Sequence, residues 1–537
     1  MFIVKYYVTA ALLCFLMAFY LSFVLFQALL IWLGLSLLLV SIAYTFEMPS
    51  IFRKSQDGKI SAWIQWAFIP FLTGAKIYNA WARRHDKAPA IQKVQDNLYL
   101  SRRLFSEDLH TLNEQGISCI VDVTAEFVGL ESAMTDKKFD YLNIPTLDHQ
   151  VPSLKQLFHA LNWIDVQISQ SNAVVVHCAL GRGRSVFVVA AYILSKDTSL
   201  SVEQVLTSLN QIRSTANLNR AQLKILHAIQ NNKQLQLQSP TWLIINPVSG
   251  GGKWQTYQQQ LLRELTKTMR LRVYETTPSL SAKDLTEDAI KQGVSTVIVG
   301  GGDGTVTEVA GALIHRDITL GIIPLGTANA LCHVLYGINS KVSPIESACH
   351  AITSDNIQKI DTAQCNGQPI LLLLGIGFEQ KMIAHAHREE KNEQGQLAYL
   401  TGFFNAVMSE EHQEIRVTFD DETTENIKAH SLVIANIAPF STVLAHGGKP
   451  PKVNDGQLHV TYLDNSESLG GRLLALSDLT LSSLGLQDKS TLFQYKDAQH
   501  IVIQAKETID YVIDGENFSA EELSISIKPE SLKVFSG

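Results

Sequence analysis

The sequence has no paired cysteine spacing. Its six cysteines, Cys14, Cys119, Cys178, Cys332, Cys349 and Cys365, are scattered singly over 537 residues. That excludes a disulfide-stapled scaffold and a zinc ribbon, and it implies free thiols in a reducing compartment. Basic residues are not in surplus: the formal net charge is −7 and no basic domain stands out, which excludes a general nucleic-acid binder. The chain is also too long for one hydrophobic core, so a length prior of about three or four units applies.

The most informative absence is of charge between Tyr6 and Phe46. One bilayer crossing needs about 20 apolar residues, and this stretch holds enough for two, so it reads as two helices joined near Gln27 into a hairpin. A secretory signal would have a shorter apolar core and a small-residue cleavage site. Lys5 precedes the first span and Arg53, Lys54 and Lys59 follow the second, so the positive-inside rule places both ends in the cytoplasm. The expectation is a multi-pass protein, in a bacterial inner membrane, with its catalytic domains on the cytoplasmic side. From Ser61 to Arg84, Trp63, Trp66, Phe68, Phe71, Tyr78 and Trp81 interleave with Lys76, Arg83 and Arg84. This suits a helix in the headgroup region, a short re-entrant segment kinked at Pro70, or packing on a soluble domain.

From about Val94 to Ile229 the pattern is that of a compact α/β domain. Leu98–Leu100, Ile117–Val123 and Tyr141–Ile144 are strand-like runs, and Leu154–Gln167 has helical apolar spacing. A further apolar run, Ala173–Val176, leads into His177-Cys178-Ala179-Leu180-Gly181-Arg182-Gly183-Arg184-Ser185 and then an apolar helix. The five residues between Cys178 and Arg184 allow the loop to wrap a phosphate with backbone N–H groups while the guanidinium holds two oxygens in a fork. The same field favours a thiolate. This pattern resembles the cysteine-dependent phosphatases, in their dual-specificity branch. The resemblance implies that Cys178 attacks phosphorus, Arg184 stabilises the transferring phosphoryl, and His177 and Ser185 tune the thiolate. A general acid is also required. Asp148, where the family carries its acid loop, is the candidate, with Asp140 as the alternative; Asp122, at a strand end, reads as a turn or cap residue.

Asn231–Pro240 is a polar linker. Beyond it, Val294–Val299 reads as a buried strand, Gly300-Gly301-Gly302-Asp303-Gly304-Thr305-Val306-Thr307-Glu308 as a turn, and Val309–Leu313 as a helix. Strand, glycine turn, helix is a phosphate-binding order, and Asp303 would sit where a metal ion or nucleotide phosphate arrives. It matches neither the Walker loop nor the dinucleotide fingerprint. The stretch resembles the signature of the diacylglycerol kinase catalytic family, which it shares with NAD kinases. Asn246-Pro247-Val248-Ser249-Gly250-Gly251-Gly252-Lys253, Pro324–Asn329 and Asp514-Gly515-Glu516 favour the lipid kinases.

That resemblance implies a nucleotide contacted by Asn246, Pro247, Ser249, Gly250, Thr277, Gly301, Gly302, Asp303, Gly304, Thr305, Glu308 and Thr327, with Glu516 as the base for the lipid hydroxyl. Lys253 could lie near phosphate or be solvated. The resemblance also implies a structural Mg2+ in the loop Lys452–Gln457, held by the Asp455 side chain and the main chain of Lys452 and Gln457; taken alone, that loop reads as a hairpin turn. Glu379 stands where many members carry aspartate, and Ala330 departs in the same way.

The expected fold is multidomain. A transmembrane hairpin occupies 1–50, an amphipathic juxtamembrane segment 51–93 and a phosphatase-like α/β domain 94–235. An α/β nucleotide-binding domain covers 240–360 and a β-sandwich domain 361–537. The expected function is a membrane-anchored bifunctional enzyme. Its phosphatase would act on a phosphorylated lipid or protein, and its kinase would use ATP and Mg2+ on a diacylglycerol-like lipid. Alternatives are a sphingoid base or NAD as acceptor, or a scaffold that binds phosphorylated partners without turnover.

Overall fold

The computed structural model describes residues 2–130, 139–377, 413–437, 452–464 and 493–537. Two compact units emerge, Met1–Pro240 with Leu262–Arg272, and Thr241–Leu261 with Val273–Gly537.

The first unit begins with two apolar helices, α1 (Phe2–Tyr20) and α2 (Val24–Thr45). One described helix, Val24–Thr45, is long and apolar enough to cross a membrane; Val4–Tyr20 is a shorter apolar helix. The break falls at Leu21–Phe23 rather than near Gln27. Gln27 continues the first turn of α2, its N–H donating to Phe23 O at 3.0 Å, because glutamine is a fair helix former and does not by itself end one. The two helices approach closely at Gly34, where a Cβ would lie 2.7 Å from the Phe15 ring.

Helices α3 (Ala62–Ala67) and α4 (Ile69–His85) follow. Pro70 lies in the first turn of α4. There it starts a helix, since its missing N–H would have had no partner anyway, and it does not kink one. Val40, Phe52, Ile64, Phe68, Phe71 and Leu72 pack with Ala125 and Leu147 in one apolar cluster. This segment therefore packs on the α/β part of its own unit through one face.

The α/β part is a five-stranded sheet of order β1-β2-β5-β3-β4. β1 (Ile91–Gln95) and β2 (Leu98–Ser101) are antiparallel, while β2, β5 (Ala173–His177), β3 (Ile117–Asp122) and β4 (Asp140–Asn143) run parallel. All five residues of β5 are buried, as expected of a central parallel strand covered on both faces. A short helix α5 (Leu109–Glu114) follows β2. Helices α6 (Leu154–Ser169), α7 (Arg184–Lys196), α8 (Val202–Ile212) and α9 (Arg220–Asn231) complete the domain, with Leu157, Trp163, Val176, Phe187 and Leu226 in its core. Ser153, Ser201 and Asn219 each form a capping box. The expected linker is anchored: Leu235 is buried in the same core.

The second unit holds the parallel strands β6 (Thr241–Ile245), β8 (Thr296–Gly301) and β9 (Thr319–Pro324), with β7 (Leu271–Glu275), which enters this unit at Val273, beside β6. Helices α10 (Lys253–Leu265), α11 (Ala282–Lys291), α12 (Asp303–Leu313), α13 (Ala330–Tyr336) and α14 (Pro344–Thr353) connect or follow them. After α14 the chain is strand-rich and antiparallel: β10 (Ile357–Cys365), β11 (Gln368–Ile370), β12 (Leu373–Gly377), β13 (Gln413–Phe419), β14 (Thr423–Ala435), β15 (Leu458–Asp464), β16 (Phe493–Ala498), β17 (His500–Ile513) and β18 (Glu516–Phe535). β17 is one continuous strand across the apolar runs His500–Ala505 and Thr508–Ile513, with an irregularity between Gln504 and Ile509. β18 is long enough to pair with β17 and β10 and then, through Lys533 and Val534, to run parallel to β9. The strand-rich part is thus hydrogen-bonded to the α/β part in one 13-stranded sheet, while keeping an apolar core of its own around Ile376, Phe419, Ile434, Val460, Ile503 and Ile525.

Two substitutions test this packing. Phe187 is fully buried, so Phe187→Ala should cost roughly 3–5 kcal/mol, read as a lower denaturant midpoint for the first unit. The loop after β6 passes through Gly250 at φ +56°, where a Cβ would lie 2.1 Å from Leu325 O. Gly250→Ala should therefore destabilise the second unit by about 1–3 kcal/mol, read in the same way.

Candidate active sites

In the first unit, β5 delivers Cys178 to a loop that ends at Gly183, the N-cap of α7. Gly181, at φ +67°, is required there because a Cβ would stand 2.8 Å from Ser101 O. Cys178 is 3% exposed, and Ser185 Oγ donates to its Sγ at 3.2 Å. Arg184 is buried and offers its fork to Glu126, at 3.0 Å from Nη1 to Oε2 and 2.8 Å from Nη2 to Oε1. Nη1 also donates to Thr146 O at 2.8 Å, and Nη2 lies 3.2 Å from Asp148 Oδ1. Burial disfavours the cation, but Glu126 and Asp148 outweigh it and hold the guanidinium firmly charged. Its Nε is buried without a hydrogen-bond partner, a donor left for an incoming anion.

This geometry corrects one expectation. The Nη pair is occupied by Glu126, so the fork itself is not free for a phosphate, and Nε is the unspent donor. Asp148 reaches the cluster through Arg184, whereas Asp140 sits at the start of β4 and accepts from Gln167 Nε2 at 3.3 Å. The acid assigned by resemblance is the one beside the arginine.

His177 faces the other way. Its Nδ1 lies 3.4 Å from Cys178 O and its Nε2 3.8 Å from Asp122 Oδ2, and burial lowers its pKa, against the opposing pull of Asp122. Asp122 does turn the chain, accepting from Thr124 N and Oγ1 at 2.9 and 2.7 Å. It also accepts from Lys54 Nζ at 2.6 Å and Tyr141 Oη at 2.5 Å. Burial alone would push the Asp122 carboxyl up; Lys54 and His177 outweigh it and hold it well below the usual carboxylate range. Lys54 and Glu126 were not anticipated as site residues. Asp122 and Glu126 left one signal, as the two carboxylates inside the otherwise uncharged run Ile117–Leu130.

In the second unit the glycine-rich loops brace one another. Asn246 Nδ2 donates to Thr305 Oγ1 at 3.1 Å, and Gly302 N donates to Ser249 Oγ at 3.3 Å. Gly301, at the end of β8, has no room for a side chain: a Cβ would meet Thr305 at 2.6 Å. Lys253, left open by the sequence, donates from Nζ to Gly326 O at 2.7 Å. Asp303 opens α12, but both its oxygens are taken by backbone, Asn329 N at 3.0 Å and Ala330 N at 2.8 Å. Its carboxylate thus clamps the Pro324–Asn329 loop rather than reaching freely toward a ligand. Pro247 and Val248 follow Asn246 in the same loop. Thr327 is exposed beside Gly326, Glu308 is exposed on α12, and Thr277 lies in an exposed turn near Ser279.

Glu516 joins this cluster from β18: a Cβ on Gly304 would lie 3.6 Å from Glu516 Oε1. Asp514, two residues earlier, is consumed structurally. It accepts from the N–H groups of Leu371, Leu372 and Leu373 at 2.7–2.9 Å, and burial pushes its carboxyl up to about 6.

The loop Lys452–Gln457 is a turn before β15. Asp455 accepts from Gln457 N at 3.2 Å and lies 3.2 Å from His459 Nε2. Asp361 holds Gly456 N at 2.6 Å. Among the described residues no cluster of three or more His, Cys, Asp or Glu side chains could hold a metal. A site of one carboxylate and main-chain carbonyls is not of that kind, and its all-oxygen donors suit a hard cation. Glu379 lies outside the described residues.

Comparison with known proteins agrees with this division. A profile of the dual specificity phosphatase catalytic domain matches residues 98–232, and one of the diacylglycerol kinase catalytic domain matches residues 240–365. An uncharacterized protein of Synechocystis sp. is 33% identical over 307 residues, 55% of this chain and 69% of its own. The "Probable lipid kinase YegS-like" of Pseudomonas aeruginosa is 31% identical over 281 residues, 51% of this chain and 86% of its own. The "Probable lipid kinase YegS" of Escherichia coli strain SMS-3-5 is 30% identical over 286 residues, 51% of this chain and 88% of its own. The chain therefore belongs to the diacylglycerol kinase-like lipid kinases, and it carries a dual specificity phosphatase catalytic domain ahead of the kinase.

Proposed function

We propose that this is a membrane-anchored bifunctional enzyme in which both sites turn over. The single observation that carries the kinase half is Glu516 reaching the Gly304 turn from a distant strand, because a base must stand where the phosphoryl group is cradled. In this reading, ATP lies along the loops of Asn246, Pro247, Ser249, Gly250, Gly301, Gly302, Gly304 and Thr305, with Thr277, Glu308 and Thr327 at the exposed rim. Asp303 keeps two of these loops in register. The oxygen of a diacylglycerol-like hydroxyl attacks the γ-phosphorus, its proton passes to Glu516, and the bond to ADP breaks. Positioning and electrostatics supply most of such catalysis. Asp455, with the main chain of Lys452 and Gln457, is the fitting place for Mg2+, which when bound would supply positive charge and rigidity to that loop.

In the phosphatase half, Cys178 attacks phosphorus, Asp148 protonates the departing oxygen, and water then releases phosphate from the cysteine. Asp148 must leave Arg184 to do so. Ser185 donates to the sulfur and orients it, while His177, held toward Asp122, fixes the start of the loop. The substrate is a phosphorylated lipid or protein. The hairpin of α1 and α2 serves as the anchor in this reading, with domains 51–93, 94–235, 240–360 and 361–537 following on the cytoplasmic side. The named relatives favour a lipid acceptor over NAD.

Three measurements check the proposal. Cys178→Ser should abolish hydrolysis of a soluble phosphomonoester while leaving kinase turnover intact, and unchanged hydrolysis would remove Cys178 as nucleophile. Glu126→Gln should lower phosphatase kcat about 10-fold or more through loss of the Arg184 fork partner. Glu516→Gln should cut labelling of diacylglycerol from γ-labelled ATP by about 100-fold or more; strong labelling of NAD with no lipid product would end the lipid reading.

A further inference from the structure

The segment between the apolar helices and the phosphatase domain uses both of its faces. On α4 the inner positions Phe71, Leu72, Asn79 and Ala82 are buried. Phe71 stacks on Phe52 with ring centroids 5.8 Å apart. Asn79 Nδ2 donates to Ala179 O at 2.8 Å, gripping the backbone of the residue that follows Cys178. One turn on, Arg83 Nη1 donates to Arg103 O at 3.1 Å, and Arg103 N donates to the same Ala179 O at 3.2 Å. The catalytic loop is therefore held from outside its own domain by α4.

The outer positions are different. Ile69, Ile77, Tyr78 and Trp81 are 42%, 64%, 57% and 57% exposed, and Trp63 and Trp66 of α3 are 56% and 65% exposed. Lys76 and Arg84 are exposed on the same helix. A soluble surface seldom leaves so many large apolar groups together. Tryptophan, tyrosine and cations interleaved in this way match the headgroup boundary of a bilayer, where ring bodies are buried and polar tips stay wet. What selects lipid over a protein partner is continuity with α2. Trp32 Nε1 donates to Ala67 O at 3.1 Å, and the Trp32 and Trp66 rings lie 5.3 Å apart. The aromatic face therefore extends the surface of the helix that is long enough to span a membrane.

We propose that α3 and α4 form a two-sided membrane-surface element. The outer aromatic face seats in the headgroup boundary of a bilayer containing anionic lipid. The inner face holds the Cys178 loop through Asn79, so that lipid contact fixes the loop and raises phosphatase turnover. This rests on the reading of α1 and α2 as a membrane anchor.

The test uses the full chain in non-ionic detergent micelles and in phosphatidylcholine vesicles with and without phosphatidylglycerol. Tryptophan quenching by brominated phosphatidylcholine reports depth, and hydrolysis of p-nitrophenyl phosphate, which is soluble, reports the loop. The expected wild-type result is strong quenching and a several-fold faster hydrolysis in anionic vesicles than in micelles. A Trp63→Ser, Trp66→Ser, Trp81→Ser variant should lose most of the quenching and the vesicle stimulation at an unchanged micelle rate, with Trp32 keeping the residual quenching. Asn79→Ala should retain quenching yet lose the stimulation.

If the protein floats with vesicles and Trp32 is quenched, but the triple variant is quenched and stimulated like wild type, the surface element is refuted while the anchor stands. If the protein does not float at all, both fall. Equal wild-type turnover in micelles and vesicles refutes the coupling even if Asn79→Ala fails to fold.

Discussion

A phosphate can be cradled by backbone only where N–H groups are left without partners, and a parallel sheet supplies such places at the carboxyl ends of its strands. Both halves of this chain are arranged around that constraint. β5 hands its chain to Cys178 and α7; β8 hands its chain to Gly302 and α12; β6 hands its chain to Asn246 and α10. In each case a short, largely buried strand fixes the point of departure and the next helix begins as soon as the loop has turned. Glycines at these turns are demanded by close backbone approach, most severely at Gly250 and Gly181.

The two halves keep their loops in shape by different means. In the phosphatase the bracing groups are buried charges. Arg184 is paired with Glu126, and Lys54 with Asp122, the latter two side chains being 0% and 1% exposed. A buried ion pair is weak evidence for stability, since desolvation opposes attraction, but removing one partner strands the other at a cost of roughly 3–5 kcal/mol. Such pairs therefore specify geometry. In the kinase the bracing runs mostly to backbone and neutral groups: Lys253 donates to Gly326 O, and Asp303 joins α12 to α13 by accepting two backbone N–H bonds. Asp514 does the same for the Leu371–Leu373 segment.

Lys54 also changes what the amino-terminal segment means. It comes from the chain just after α2, yet it donates to Asp122 and Thr124 beneath the catalytic loop. With Asn79 gripping Ala179 from the opposite side of the sequence motif, the phosphatase is completed by residues that precede its recognisable domain. The second apolar helix and the catalytic domain share one apolar cluster instead of being joined by a free tether.

The sequence by itself determined the elements whose physics is local. The uncharged stretch marked the apolar helices, and the strand-loop-helix order placed Cys178, Arg184 and the glycine loops where the structure has them. Helical spacing placed α6 almost to the residue. Tertiary structure alone decided the rest, because those contacts join residues far apart in the chain. These are Glu126 filling the Arg184 fork, Lys54 under Asp122, Glu516 beside Gly304, and β18 binding the strand-rich half to β9 in one sheet. A periodic pattern records which face of an element is buried, but not which distant partner buries it.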